Sequence, residues 1–383
     1  MRFLFLFFSL LLLAPSLQGQ YYFPDRGAEW ETQPAERFGL DAEKIQDVVA
    51  FALANEYSES RDLRVAILKG FAREPYHKLL GPTKKRGGPA GMILKNGYRI
   101  ASWGDTKRVD MTFSVTKSYL STVAGLALAQ GLIQNLNDPV KKYVWGATFD
   151  GEHNSAINWT HLLQQTSDWS GSLWDSYDWA DRPPREGGVD DWKNRKLHAP
   201  GTHYKYNDVR VNVLAYSLLQ VLRKPLPAVL KEHIMDPIGA SSTWRWFGYE
   251  NSWVNVDGQW MQSVSGGGHS GGGVFISTED HARFSLLFLA QGKWKEQKKK
   301  KKNWVDKVVQ PAVANPNYGM MWWLNNPKGS NYIPEISDKM YYAAGFGGNF
   351  IFVFPEEDMV VVTRWLEPRQ RAAFLKKLAA ALN

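Results

Sequence analysis

Residues 113–117 read Phe-Ser-Val-Thr-Lys, and the apolar run Tyr-Leu-Ser-Thr-Val-Ala-Gly-Leu-Ala-Leu-Ala follows at residues 119–129. The run predicts a helix, and Ser114 stands where that helix would begin. Residues three apart lie on one face of a helix, so the Ser114 hydroxyl and the Lys117 amine can share a proton. The stretch therefore predicts a serine nucleophile with a lysine base.

The start of a helix suits this chemistry. A lysine can take a proton from serine only when its own pKa is lowered by burial or by positive potential. The first turn supplies positive potential, and its N–H groups, that of Ser114 included, are free to hold an oxyanion. The alternative is a chance pairing in which Ser114 is an ordinary N-cap.

The composition is that of a globular protein. The chain has 383 residues, of which 44% are hydrophobic and 22% charged, enough for one large domain or two lobes. Five of the +8 formal charges come from the run Lys298 to Lys302, which predicts an exposed loop, so no nucleic-acid partner is expected. The chain has no cysteine, and it has no zinc-type or phosphate-loop spacing, so neither a cofactor nor a metal is predicted.

The N-terminus has the pattern of a secretory signal. A basic start is followed by an apolar run over residues 3–13 and by small residues up to Gly19. We predict a signal peptide over residues 1–19 and an exported, periplasmic or secreted, domain over residues 20–383. The run is shorter than the roughly 20 residues of a membrane span, so no stable span is expected after cleavage. Retention as an N-terminal anchor is the alternative.

Hydrophobic periodicity predicts strands near both ends of the exported chain. A helix is expected over residues 41–54 and another over residues 369–382, whereas residues 135–331 are mostly helical. The predicted strands are 64–69, 90–95, 98–103, 340–344, 349–354 and 359–365, and Asn96-Gly97 forms a hairpin between the second and third.

This order predicts an α+β fold with an α/β lobe and an all-helical lobe. An antiparallel sheet would be assembled from about residues 39–112 and 335–383 and flanked by helices, with residues 113–334 inserted as a mainly helical lobe. Binding sites commonly lie between such lobes.

Three further stretches are candidates for the site. Tyr206, after the turn at residues 200–202, can relay a proton, or it is a core tyrosine. Gly345-Phe346-Gly347 can supply a backbone N–H to an oxyanion, or it is a bulge or tight turn. The tryptophan-rich loop that begins at Trp169 can line an apolar cleft, or its tryptophans pack the loop.

A competing nucleophile motif is present in the glycine-rich segment. Residues 268–272 read Gly-His-Ser-Gly-Gly and match the G-x-S-x-G elbow, which requires a strand before Ser270 and a helix directly after it. Glycines flank the motif on both sides, and His281 is the only later histidine. A flexible or close-packed glycine loop near the site is the favoured interpretation.

The motifs occur in the order of a known family. Ser-Val-Thr-Lys at 114–117, Pro-Gly-Thr at 200–202 before Tyr206, and the glycine strand before Pro355 resemble the class C β-lactamase and penicillin-recognising family. Three segments resemble the branch of 6-aminohexanoate-dimer hydrolase and related esterases, namely residues 209–212, 236–240 and 263–269. The resemblance extends from about Gly39 to the end of the chain.

The resemblance implies a β-lactamase/transpeptidase-like fold and an acyl-enzyme mechanism. Ser114 would be the nucleophile, Lys117 the base and Tyr206 the proton relay. The oxyanion hole would consist of the N–H groups of Ser114 and Phe346.

Two departures from the family pattern bear on the substrate. The family's Tyr-x-Asn has Asp208 in place of the asparagine, and its Lys-Thr-Gly or His-x-Gly strand reads Gly345-Phe346-Gly347. Both favour small-molecule esters or amides over β-lactams or cell-wall peptides. The expected substrate contacts are Asp208, Gly345, Gly347 and Trp169. The alternatives are a catalytically weak binding or sensor protein of this fold, and a β-lactamase or D,D-peptidase.

Overall fold

The computed structural model describes residues 21–295 and 304–382. The predicted signal peptide and the run Lys298 to Lys302 lie outside the described residues. Within the described ranges, no single helix has the length and apolarity needed to cross a membrane, although residues 208–222 and 226–235 together pass that test as a pair bent by 74°.

Helices and strands occur in runs along the chain. The helices are α1 (Ala42–Ala54), α2 (Leu63–Gly70), α3 (Thr116–Ala129), α4 (Glu152–Ser155), α5 (Trp159–Leu163), α6 (Val189–Lys193), α7 (Asp208–Leu222), α8 (Leu226–Leu230), α9 (Thr278–Leu289), α10 (Trp304–Val308) and α11 (Arg371–Leu382). The strands are β1 (Ala90–Lys95), β2 (Tyr98–Trp103), β3 (Asp110–Met111), β4 (Ser172–Leu173), β5 (Ser176–Tyr177), β6 (Arg245–Val256), β7 (Gln259–Val264), β8 (Gly273–Ile276), β9 (Trp323–Leu324), β10 (Tyr341–Gly345), β11 (Asn349–Phe354) and β12 (Met359–Arg364).

The main sheet is built from both ends of the chain, as predicted. Its six antiparallel strands have the order β2-β1-β12-β11-β10-β9. β1 and β2 form the predicted hairpin, in which Asn96 and Gly97 have φ values of 52° and 85°, as a tight two-residue turn requires. The α+β prediction is confirmed.

Helices cover both faces of this sheet. Ile93, Phe352 and Val361 pack with residues of α1 and α11 in one cluster. Met92 and Val362 face the other way and join the larger cluster that contains α9. Alternation along each strand therefore divides the core into two layers, and α9 covers the layer that leads to the site.

Two parts of the chain differ from the prediction. Residues 64–69, predicted as a strand, belong to helix α2, which Asp62 caps and which buries Leu63, Ala66 and Ile67. That spacing is helical, but a short apolar run does not distinguish a strand from a helix. The middle of the chain, predicted as mainly helical, also contains β9 of the main sheet and β6, β7 and β8, which pair with β3 in a four-stranded antiparallel sheet of order β3-β8-β6-β7.

Candidate active site

Ser114 lies in a 3₁₀ turn, Phe113–Val115, that leads directly into the buried helix α3. Phe113 has a φ of 50°, an unusual conformation for a bulky residue, and its ring packs against Phe346 with 5.1 Å between the ring centroids. The Lys117 Nζ donates a hydrogen bond of 2.9 Å to the Ser114 Oγ. The structure thus brings the predicted nucleophile and the predicted base into direct contact.

Lys117 is buried and has a second, charged partner. Its Nζ donates to the Asp208 Oδ1 at 2.5 Å, and both side chains are almost fully enclosed. Burial lowers the pKa of Lys117; the Asp208 carboxylate opposes this shift and the Arg182 guanidinium adds to it, and the pKa stays below its usual value. A lysine in this setting can lose its proton more readily than an exposed one.

Asp208, predicted as a substrate contact, is instead surrounded by charged groups of the protein. Burial raises the pKa of Asp208, but Lys117 and Arg182 outweigh burial and hold it well below its usual range. The Oδ2 lies 2.6 Å from the Arg182 Nη1, so both carboxylate oxygens face cations of the protein. The first residue of α7 therefore binds the catalytic lysine candidate rather than facing open solvent.

Tyr206 joins the same group of side chains. The Lys117 Nζ lies 4.6 Å from the centroid of its ring, and Trp323 stacks on it at 5.8 Å between ring centroids. Burial raises the pKa of Tyr206, Asp208 adds to the shift, and Arg182 and a hydrogen bond with Ser114 oppose it. The phenol is therefore neutral at ordinary pH and close to the serine hydroxyl, as a proton relay requires.

The end of β10 approaches the turn that carries Ser114. A Cβ built on Gly345 would lie 2.3 Å from the Thr112 carbonyl oxygen and 3.3 Å from the Ser114 nitrogen, so only glycine fits there. Phe346 follows directly and packs against Phe71 and Phe113. The strand end thus runs beside the Ser114 N–H, as expected for an oxyanion hole.

Two residues predicted as substrate contacts, Gly347 and Trp169, are packed within the protein. Gly347 lies in the turn between β10 and β11 with a φ of 78°, and a Cβ there would meet the Trp365 ring at 2.8 Å. Trp169 is buried in the main core, and its indole N–H donates to the Thr148 carbonyl oxygen at 2.7 Å. Gly347 therefore belongs to a tight turn, and Trp169 packs its loop, as the two alternative interpretations stated.

The prediction missed Arg182, which lies in the loop between β5 and α6. Its Nη1 lies 2.5 Å from the Asp181 Oδ1, and its guanidinium lies 5.1 Å from the centroid of the Tyr206 ring. We call Lys117, Asp181, Arg182 and Asp208 the site cluster. No sequence motif marks Arg182, because only the path of the loop brings it to the site.

The glycine-rich segment packs against this cluster. A Cβ on Gly267 would lie 1.8 Å from the Asp208 Oδ1 and 2.3 Å from the Lys117 Nζ. The loop around Ser270 is followed by strand β8 and not by a helix, so the elbow geometry is absent from this segment. His281 is buried in α9 and hydrogen-bonds Thr112 and Tyr119, beneath the site.

A second group of buried charges holds the tryptophan-rich loop in place. The Arg210 Nη2 pairs with the Asp168 Oδ1 at 2.6 Å and with the Asp178 Oδ2 at 3.1 Å, and Arg195 pairs with the same two carboxylates. We call these four residues the loop clamp. Because Arg210 lies in the first turn of α7, the clamp fixes the loop relative to Asp208.

Two sets of donor atoms are close enough to hold a metal ion. One is Glu74, His77 and His269, and the other is Asp181, Asp208 and His269. In the first set the His269 Nε2 already lies 2.6 Å from the Glu74 Oε2. In the second set Arg182 already provides the positive charge between the two aspartates, since its Nη1 contacts both carboxylates, so neither set is assigned as a metal site.

The β-lactamase family matches the chain over residues 93–379. The fold, the match and the Ser–Lys pair together define the class of protein: the chain belongs to the β-lactamase family, and with it to the serine hydrolases. No curated protein that was compared with the chain matches it.

Solved structures share the fold at low sequence identity. A proposed 6-aminohexanoate-dimer hydrolase from Bacillus anthracis is 14% identical, with a TM-score of 0.58 over 95% of this chain and 89% of its own. EstCE1, a hydrolase with promiscuous acyltransferase activity, is 14% identical, with a TM-score of 0.55 over 83% of this chain and 97% of its own. A β-lactamase/D-alanine carboxypeptidase from Yersinia pestis is 17% identical, with a TM-score of 0.52 over 83% and 97%.

Proposed function

We propose that the protein is an exported serine hydrolase that cleaves a carboxylic ester or amide bond through an acyl-Ser114 intermediate. The observation that carries the proposal is the 2.9 Å hydrogen bond between the Lys117 Nζ and the Ser114 Oγ at the start of a buried helix. A nucleophile and a base in such contact, with the pKa of the base lowered, are the components of covalent catalysis.

The reaction begins when neutral Lys117 takes the proton of the Ser114 hydroxyl. The Ser114 Oγ then attacks the carbonyl carbon, and the N–H groups of Ser114 and Phe346 hold the oxyanion that forms. Tyr206 passes a proton to the leaving alcohol or amine as the bond to the acyl carbon breaks, and Lys117 returns the serine proton to Tyr206, so both groups regain their starting states. Water repeats the sequence on the acyl-enzyme and releases the acid and free Ser114.

The walls of the site favour a neutral acyl group. Phe346 stands beside the nucleophile and packs with Tyr57, Phe71 and Phe113, at centroid distances of 5.1 to 5.7 Å. Arg182, which lies 5.5 Å from the centroid of the Phe71 ring, is paired with Asp181 and Asp208. A substrate carboxylate would find an aromatic wall and a neutralised guanidinium, so small uncharged esters and amides are the better substrates.

Labelling with a fluorophosphonate probe tests the proposal. We expect one covalent adduct, mapped to Ser114 by peptide mass spectrometry, and turnover of p-nitrophenyl esters or short amides in preference to a chromogenic cephalosporin. An adduct on another residue would contradict it. Stoichiometric acylation without turnover would favour the binding or sensor alternative, and rapid cephalosporin hydrolysis would favour a β-lactamase.

Export has its own test. The intact mass of the protein recovered from a secreting host should correspond to a chain that begins at Gln20. A full-length mass that stays with the membrane fraction would support the N-terminal anchor instead.

A further inference from the structure

We propose that Arg182 is a positioning residue, which balances the charge of Asp208 and so keeps Lys117 available as a base. The proposal rests on the proposed function of Ser114 and Lys117 and adds a residue to it. It starts from the arrangement of three charged side chains, in which Asp208 lies between two cations.

Asp208 on its own would oppose the role given to Lys117. Its Oδ1 lies 2.5 Å from the Lys117 Nζ, where the Asp208 side chain is 3% exposed and the Lys117 side chain 2%. A carboxylate at this distance in a dry site stabilises an ammonium strongly, and an ammonium cannot accept the Ser114 proton. A base at this position therefore requires a second positive charge beside the carboxylate, which weakens the stabilisation of the lysine ammonium.

Arg182 meets this need from the other side of the carboxylate. Its Nη1 lies 2.6 Å from the Asp208 Oδ2, and the His269 Nδ1 lies 3.6 Å from the same oxygen. The positive charge of Arg182 satisfies Asp208 and also acts directly on Lys117, where it lowers the pKa of the lysine. An arginine suits this task because it stays protonated throughout the working pH range.

The remaining groups around Lys117 leave Arg182 as the balancing charge. Asp181, next to Arg182, favours the ammonium of Lys117 as Asp208 does, while Ser114 and Tyr206 are neutral partners. On the side of the glycine-rich loop the ion pair faces the backbone of Gly267. Behind Arg182, His269 accepts from its Nη2 at 3.3 Å and contacts Glu74 at 2.6 Å.

Arg182 is held in place rather than free to follow a substrate. Its backbone has a φ of 47° and its N–H donates to the Glu74 Oε1 at 3.2 Å. Its guanidinium lies between two rings, 5.1 Å from the centroid of Tyr206 and 5.5 Å from that of Phe71. A strained backbone fixed by several contacts is typical of residues whose exact position matters for function.

Direct titration of Lys117 tests the proposal without relying on activity. The protonation of Lys117 is followed by NMR of isotopically labelled lysine side chains in wild type, Arg182→Gln, Arg182→Lys, Asp208→Asn and the double variant Arg182→Gln/Asp208→Asn. The pH dependence of Ser114 labelling by the fluorophosphonate is measured on the same proteins.

We expect Arg182→Gln to move the Lys117 midpoint to higher pH by about one unit or more, which slows labelling roughly tenfold below the midpoint. Asp208→Asn should move the midpoint to lower pH, the double variant should return it toward wild type, and Arg182→Lys should retain most of the wild-type rate. Arg195→Gln is the matched control, since this arginine, in the loop between α6 and α7, pairs with Asp168 and Asp178 instead. It should leave the midpoint unchanged.

The proposal is overturned if Arg182→Gln slows labelling equally at every pH, or if the double variant shows no recovery. If Arg182→Gln does not fold, Asp208→Asn decides, because an unmoved midpoint would contradict the opposition between the two residues. If the Lys117 midpoint responds to the variants as expected but wild-type Ser114 is not labelled, the result contradicts the proposed function and not the role of Arg182.

Discussion

Two buried ion clusters join the first turn of α7 to the segment 168–195 that precedes it, and they differ in one component. The loop clamp consists of Asp168, Asp178 and two arginines. The site cluster also contains two aspartates and an arginine, but its second cation is Lys117. An arginine keeps its proton, whereas a buried lysine can give its proton up. The same charges therefore make a fixed support in one place and surround a lysine that can titrate in the other.

The largest expected effects come from Lys117 in the site cluster and from Ser114, which it contacts. Ser114→Ala should remove probe labelling and hydrolysis, and Lys117→Ala should slow acylation by about 10³ to 10⁴-fold, because the lysine takes the serine proton. Single-turnover acylation of folded protein is the measurement. Ser270→Ala is the matched control and should retain near wild-type rates. A comparable loss in that variant would favour Ser270 as the nucleophile.

The second effect concerns the close fit of the glycine-rich loop. Gly267→Ala places a Cβ 1.8 Å from the Asp208 Oδ1, so the ion pair or the loop must move. We expect a loss of about 100-fold in kcat/KM, the usual cost of a displacement of about 1 Å in a catalytic group. The control is Gly88→Ala, where a Cβ has only an ordinary contact with Arg61 at 3.4 Å. Equal kinetics for the two variants would show that the contact at Gly267 is unimportant.

The loop clamp should influence stability more than chemistry. Arg210→Met leaves the buried carboxylates of Asp168 and Asp178 with Arg195 as their remaining charged partner. We expect the free energy of unfolding to fall by about 3–5 kcal/mol, as when one partner of a buried ion pair is removed. Urea denaturation measures this change. A shift in the pH profile of acylation, without loss of stability, would mean that the two clusters are not separate in function.

A smaller effect is expected from acid. Burial raises the pKa of Asp168, but Arg210, the His198 N–H and Arg195 outweigh it and hold the pKa well below its usual range. Because the folded value is lower than the unfolded one, about 3.9, the carboxylate stabilises the fold above that pH and loses its contribution as pH falls toward the folded value. The stability difference between wild type and Asp168→Asn should therefore shrink from about pH 6 to about pH 3 in thermal melts. A constant difference would contradict a charged role for Asp168.

The pH dependence of acylation should depend on the site cluster and not on the loop clamp. The pKa of Lys117 is lowered, chiefly by burial, so the rate should rise with pH through a midpoint below the ordinary lysine value of about 10.4. Arg210→Met, if folded, should keep that midpoint. A rate that does not change with pH would argue against Lys117 as the base.

Local sequence patterns determined much of this protein. The helical run after Lys117, the Asn96-Gly97 hairpin and the strands near the C-terminus follow from side-chain periodicity and turn chemistry, which act between neighbours in the chain. The Ser114–Lys117 contact follows from helical spacing alone, because three residues make almost one turn. The match to the β-lactamase family extends across these segments.

Tertiary structure decided what these patterns could not. Residues 64–69 form a helix in which Ala66 and Ile67 pack into the core while Val65 and Leu68 stay exposed. Arg182 reaches Asp208 only through the path of the loop, and Gly267 touches the ion pair only because the glycine-rich segment folds back over it. Sequence thus determined the Ser114–Lys117 contact through local geometry. The electrostatic environment of Lys117 comes from contacts between segments far apart in the chain, and such contacts leave no periodic signal.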